Sequence, residues 1–183
     1  MYFRKLVGKK CYLSPMDLND AEKYTEWLND LEISIGLGHV YEGILNVDSE
    51  KEILKDLSKK HNYSILDIET NELIGSCGFL EVDNLNQIAE IGIFIGNKYF
   101  WNKGYGTEAM MLLMDYGFKA LNLHNILLRV FSFNEMAIKC YNKIGFKVIG
   151  KRREALKRGD KTFDVIYMDI LYNEFYVKNS ELK

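Results

Sequence analysis

The residues best equipped for chemistry lie in AEIGIFIGNKYFWNKGYGTE, residues 89–108. A β-branched apolar run leads through a polar and aromatic link to a glycine turn, and the turn leads into a helix start. Gly104 and Gly106 permit positive φ and bring backbone N–H groups together, and Thr107 opens a helix whose first amides have no intrahelical partner. Partial positive charge at that helix N-terminus adds to the donors, so the natural guest is a phosphate or pyrophosphate. Read literally, Gly104-x-Gly106-x-x-Ala109 satisfies the dinucleotide fingerprint. That fingerprint also demands a parallel strand-helix-strand unit and an acid at the end of the next strand, about 20 residues on. Here the next strand ends Phe131-Ser132-Phe133 and hairpins precede the turn, so a dinucleotide site is rejected. No G-x-x-x-x-G-K-[ST] loop occurs either.

The elements that must position this turn follow from periodicity. Residues 10–14 read as a strand stopped by Pro15, and Asp17 can cap a helix with Ala21, Tyr24, Trp27 and Leu28 on one face, ending near Asn29. Residues 31–47 carry three glycines and no clear period, so a loop with at most one helical turn is expected, a candidate substrate lid. Asp48 or Ser49 is expected to cap a second helix through Lys60, burying Ile53, Leu54 and Leu57 while its lysines and acids face water. Strands at 63–68, 73–82 and 87–95 form antiparallel hairpins. A well-buried helix at 107–121 follows, then a strand at 125–133 and a helix from Asn134 to Lys143 closed by Gly145. A last hairpin turns at 158–160 and returns through 163–172. This order describes one α+β domain over residues 1–183, with a mostly antiparallel mixed sheet and about four helices.

Composition narrows the function classes. With 183 residues, 48% of them apolar, the chain can bury a sizeable core. A net charge of −2, with acids and bases interspersed, shows neither a nucleic-acid footprint nor a polybasic membrane patch. Cys11, Cys77 and Cys140 are odd in number and unpaired by spacing, which points to reduced thiols in a cytoplasm-like compartment. The start MYFRKLVGKK has no apolar signal region, and no long apolar run follows. The expectation is a cytoplasmic protein, with homo-oligomerisation left open. His39, His61 and His124 lack metal-ligand spacing, so no metal is expected.

Two blocks carry a family resemblance. Trp101-Asn102-Lys103-Gly104-Tyr105-Gly106 resembles the acyl-CoA-binding turn Q/R-x-x-G-x-G/A of the GCN5-related N-acetyltransferases (GNAT), and FWNKGYGTEA is similar to their ribosomal-protein and polyamine acetyltransferase branch. Residues 132–146, SFNEMAIKCYNKIGF, are similar to the family block S-x-N-x-x-S/A-x-x-x-Y-x-K-x-G-F. The resemblance covers essentially the whole chain and is strongest from Glu90 to Phe146.

What the resemblance implies is specific. Acetyl-CoA would enter where strands 91–95 and 126–131 splay apart, with its pyrophosphate on the main chain of Trp101, Asn102, Lys103, Gly104, Tyr105, Gly106 and Thr107. The pantetheine arm would pair with the strand edge at Phe94 and Ile95, where a backbone N–H can hold the oxyanion. Asn134 matches the residue that bonds this arm, and Tyr141 matches the acid that protonates the departing thiolate; without that match they read as a helix cap and a core tyrosine. The acceptor is a primary amine, a ribosomal-protein N-terminus or a polyamine before others. Deprotonating an α-amine at neutral pH costs under ~1 kcal/mol and a lysine-like nitrogen about 4 kcal/mol. Glu90 is the best-placed carboxylate to take that proton, directly or through water; otherwise it is a strand-surface acid. Asp30, Glu32 and Glu42 could line a pocket for a cationic amine, Trp27 and Tyr41 read as core or lid aromatics, and Cys140 lacks the paired groups of a nucleophile. The rival reading is an acyl-CoA-binding sensor or oligomeric scaffold without efficient catalysis.

Overall fold

The computed structural model describes residues 1–37 and 45–180. They form two compact units, residues 1–80 with 92–113, and residues 81–91 with the chain from 114 onward.

In the first unit β1 (Leu6–Val7), β2 (Cys11–Pro15), β3 (Asn62–Asp67) and β4 (Leu73–Asp83) pair in antiparallel succession, and β5 (Ile88–Ile95) follows β4. Helix α1 (Ala21–Asn29) buries the stripe Ala21, Tyr24 and Trp27 against Tyr12, Leu66 and Leu73. Phe94 meets Tyr24 and Trp27 edge to face, with ring centroids 6.0 and 6.2 Å apart. The Trp27 ring covers Gly96 so closely that a Cβ there would fall 2.1 Å from it, which makes this glycine a packing requirement. Trp27 is therefore a core residue, 4% exposed.

Three details differ from the sequence expectation. Asp17 caps a single 3-10 turn, Leu18–Asp20, by accepting from the Asn19 N–H, and α1 starts behind that turn. Residues 31–37 form a helix, α2 (Leu31–Leu37), because the Asp30 carboxylate accepts from the Glu32 N–H at 2.9 Å and caps it. The rest of the expected lid, with His39, Tyr41 and Glu42, lies outside the described residues. Helix α3 (Val47–Leu57) begins earlier than expected, because Asn46 and Ser49 cap each other across its first turn. Its buried stripe also differs: Leu54 is 1% exposed, whereas Ile53 faces water and Glu50 is buried at 2%.

In the second unit β5 pairs in parallel with β6 (Asn125–Phe131), from Ile88↔Asn125 to Glu90↔Leu127. That ladder ends at Glu90↔Leu127, although β5 runs on to Ile95 and β6 to Phe131. β8 (Lys161–Leu171) lies antiparallel to β6 and to β7 (Lys147–Arg158). Helix α4 (Tyr105–Ala120) runs from the first unit into the second, and there Met114 and Phe118 are buried with Ile126, Leu128, Met168 and Ile170. Helix α5 (Glu135–Ile144) follows β6, and an unforeseen helix, α6 (Tyr172–Lys178), closes the chain. Phe118 and Phe175 pack at 5.3 Å, and Glu174 turns back to accept from the Leu171 N–H, stopping β8 one residue early. The class is α+β with a mixed, mostly antiparallel strand arrangement, and six α-helices among the described residues instead of about four.

Glu50 gives the first unit a pH dependence. Among the described residues its buried Oε2 has no hydrogen-bond partner, and burial pushes its carboxyl up to about 7. The unfolded side chain titrates near ~4.3, so between these values the native state holds a proton that the unfolded state has released. Stability should therefore fall as pH rises through this window. Urea unfolding of Glu50→Gln should show a flattened slope there and a gain of ~1–3 kcal/mol at alkaline pH.

Candidate functional site

The phosphate-binding candidate belongs to the first unit. From the 3-10 turn Lys98–Phe100 the chain passes through Trp101, Asn102 and Lys103 to Gly104 and enters α4 at Tyr105. The backbone turns at Asn102 (φ 58°) and Gly104 (φ 86°). Among the described residues other than its two chain neighbours, only the Lys10 ammonium, at 3.9 Å, lies within 4 Å of the Gly104 Cβ position, so this side of the turn is open. Gly106 does not supply the second positive φ as expected. It lies inside α4, where a Cβ would make ordinary 3.8 Å contacts with Ile93 and Ile95. Gly104 O accepts the Glu108 N–H at 3.1 Å, so the amides of Tyr105 and Gly106 lie in the first helical turn, ahead of that first intrahelical bond.

Side chains brace this turn on three sides. The Trp101 indole N–H donates to Ile95 O at 2.8 Å, and the Tyr105 hydroxyl donates to Asp67 at 2.7 Å. Asp67 is itself held by the Thr70 N–H at 2.8 Å and the Thr70 hydroxyl at 2.9 Å. Most telling, the Glu108 carboxylate accepts from the N–H groups of Lys9, Lys10 and Cys11 at 3.0, 2.7 and 2.9 Å. Desolvation pulls the Glu108 carboxyl upward, but these donors outweigh it and hold the group below the usual carboxylate range. The same clamp carries Lys10 to the turn, where its ammonium donates to Lys103 O at 2.9 Å, while the Lys103 ammonium sits 3.2 Å over the Tyr99 ring. Open main-chain donors, a helix N-terminus and two lysines make an anion seat. Trp101 and Tyr105 turn their polar side-chain atoms into the protein, so only their main chain is left for a ligand. Lys10, Asp67 and Glu108 escaped the sequence reading, because their partners lie far away in the chain.

The acids proposed for an amine pocket are already engaged. Lys98 Nζ lies 2.7 Å from Asp30 and 2.6 Å from Glu32. Its hydrogen bond holds the Asp30 carboxyl below its ordinary range. Beside this pair lies a depression of about 230 Å³ lined by Trp27, Asp30, Ile33, Gly96 and Lys98. Glu42 lies outside the described residues.

The second unit carries the remaining candidates. Asn134 Oδ1 accepts the Ala137 N–H at 3.1 Å and caps α5, and Gly145 ends the helix at φ 125°. Tyr141, two turns after Asn134, is 9% exposed and packs against Phe146. Its hydroxyl has no hydrogen-bond partner among the described residues, and burial pushes its pKa up, so it keeps its proton near neutrality. Glu90 is paired through Oε1 with Arg129 Nε at 2.7 Å, a neighbour that sequence reasoning did not supply. Phe94 and Ile95 belong to the first unit, at the end of β5.

The description "Acetyltransferase (GNAT) domain" fits residues 10–147, and the chain belongs to that family: it is an N-acetyltransferase. It is 32% identical over 174 residues to an uncharacterized N-acetyltransferase, p20, of Bacillus licheniformis, covering 93% of this chain and 97% of that one. It is 30% identical over 141 residues to spermidine N(1)-acetyltransferase of Escherichia coli K12, covering 76% and 68%. Among solved structures, a GNAT-family acetyltransferase from Bacillus anthracis superposes with a TM-score of 0.80 at 25% identity, over 95% of this chain and all of that one. Spermidine N-acetyltransferase from Vibrio cholerae, solved with CoA and spermine, shares the fold at a TM-score of 0.81 and 23% identity, over 92% and 99%.

The Glu108 clamp is directly testable. Glu108→Ala leaves three amides without their acceptor and should cost ~2–3 kcal/mol in denaturant unfolding. Hydrogen exchange should speed up at Lys9–Cys11 in that variant, whereas unchanged exchange there would mean that the clamp is not formed.

Proposed function

We propose that the chain uses acetyl-CoA as cosubstrate and moves the acetyl group directly to a primary amine, as a single acetyltransferase domain over residues 1–183. The observation that carries this reading is the open, lysine-flanked turn at Gly104, braced by Glu108. It suits the pyrophosphate of CoA, and the family membership supplies the chemistry. The family match over residues 10–147 draws on both compact units, which supports reading the chain as one domain.

In this reading the main chain from Trp101 to Thr107 binds the pyrophosphate, and Phe94 and Ile95 offer backbone groups to the pantetheine arm and the thioester carbonyl. Asn134 bonds the same arm while it caps α5. Tyr141, neutral and without a hydrogen-bond partner among the described residues, protonates the leaving thiolate. Arg129 holds one oxygen of Glu90, and the other receives the amine proton, directly or through water.

The acceptor is a polyamine or a protein α-amine such as a ribosomal-protein N-terminus. The relationship to a spermidine acetyltransferase favours the first. The engagement of Asp30 and Glu32 by Lys98 adds a condition: a polyamine ammonium bound to this pair must displace Lys98, which an α-amine need not do.

Thiol release should be followed with acetyl-CoA and a panel of spermidine, spermine and peptides with free N-termini. At least one amine should raise release above the blank. CoA binding without release on any of them would favour the sensor reading. With the best amine, Tyr141→Phe should lower kcat about 100-fold while the KM for acetyl-CoA stays nearly constant. Full retention of kcat would remove Tyr141 as the acid.

A further inference from the structure

The outer part of the β7–β8 hairpin has a composition unlike the rest of the chain. Between residues 151 and 161 it carries Lys151, Arg152, Arg153, Lys157, Arg158 and Lys161 against two acids, Glu154 and Asp160, although the whole chain has a net charge of −2. Lys151 is neutralised by Asp164 at 3.0 Å. Arg152, Arg153, Lys157 and Lys161 are exposed, and none forms an ion pair with a described residue. Like charges are thus held close together on an arm that extends past the end of β6, whose last registered partner on β8 is Val165. The base of the arm is fixed: Ser132 N–H donates to Asp164 O at 2.9 Å, and Asp164 N–H donates to the Ser132 hydroxyl at 3.1 Å.

The register adds a second feature. Residues opposite one another share a face, and faces alternate along a strand. The pairs Arg152↔Val165, Leu156↔Phe163 and Arg158↔Lys161 therefore put Arg152, Arg158 and Lys161 on the same face as Phe163. Phe163 packs edge-on against Phe133 at 4.9 Å, Phe131 stacks on Phe133 at 5.5 Å with the rings nearly parallel, and the Arg158 guanidinium lies 4.9 Å over the Phe133 ring. All three rings are half-buried. On this face Lys161 and Phe163 of β8 therefore lie beside Arg152 and Arg158 of β7 and Phe131 of β6.

Charged residues and bulges on an edge strand also serve to block unwanted pairing. β7 has bulges at Val148/Gly150 and Arg152/Leu156 that meet that need, and they equally disfavour an acidic peptide adding as a further strand. Edge protection does not call for one sign of charge, nor for a run of rings on the cationic face. Phosphates beside cations and bases on aromatic faces do call for both. We propose that the outer half of the β7–β8 hairpin binds single-stranded nucleic acid without reading its sequence. The chain-wide charge balance conceals this, because acids elsewhere cancel the local excess.

The test uses the full chain and fluorescein-labelled dodecamers of oligouridylate and oligothymidylate, followed by fluorescence anisotropy as potassium chloride is raised from about 50 to about 200 mM. Three to four phosphate contacts predict that log Kobs falls against log salt with a slope of about −2 to −3. The combined variant Arg152→Glu, Lys157→Glu, Lys161→Glu should bind at least ~100-fold more weakly, while its melting temperature and its thiol release with a small amine stay near those of the parent. Phe163→Ala, if its melt shows a folded chain, should weaken binding ~5- to ~100-fold. No salt-dependent binding by the parent, or unchanged binding by the triple variant, would overturn the proposal. Equal displacement of the dodecamers by a polyglutamate peptide would overturn it in favour of an acidic protein partner.

Discussion

A single carboxylate sets the geometry of the first unit's anion seat. Glu108, in the opening turn of α4, accepts three consecutive amides, those of Lys9 and Lys10 before β2 and of Cys11 at its start. A helix N-terminus normally attracts acids to its own free amides; here the acid reaches outward and ties the helix to a distant turn of the chain. The consequence is selective. With Glu108 committed to Lys9, Lys10 and Cys11, its carboxylate does not occupy the amides of Tyr105 and Gly106 at the start of α4, and Lys10 is delivered to the same place. Hydrogen bonds to a charged group each contribute about 1.5–3 kcal/mol, so the arrangement resists drift of the helix along its axis. Trp101 and Tyr105 complete the frame, with an indole on Ile95 O and a phenol on Asp67.

The candidate groups of the second unit rest on local rules of a different kind. Asn134 and Gly145 mark the two ends of α5, so Tyr141 is fixed two turns into a short, well-capped helix. Burial acts on the phenol, because removing water disfavours the tyrosinate and keeps the proton in place near neutrality. Glu90 is steadied by Arg129 from the neighbouring strand, and the short parallel ladder ends at Glu90 itself.

Much of this was legible in the sequence for local reasons. The glycine turn, the Asn134 cap, the Gly145 stop and the hairpin at Arg158–Asp160 depend on residues within one or two turns of each other, and the structure has each of them. What could not be read depends on long separations. Glu108 and Lys10 lie 98 positions apart, and no periodicity links them. α2 was hidden because glycines broke its pattern, although Asp30 was a cap in plain sight. Glu50 looked like a solvated acid in an acidic helix, and only tertiary packing reveals that it is buried. Gly106 shows the opposite error: a motif glycine was credited with a turn that Asn102 makes.

A total of −2 describes the average and hides both the lysine-flanked turn and the cationic hairpin. If the amides opening α4 form the CoA seat, as proposed, an amide-resolved NMR titration of the protein with CoA should place the largest shifts on the N–H groups of Gly104, Tyr105 and Gly106, saturating together with binding. Saturation by CoA that leaves these three amides unmoved would contradict it.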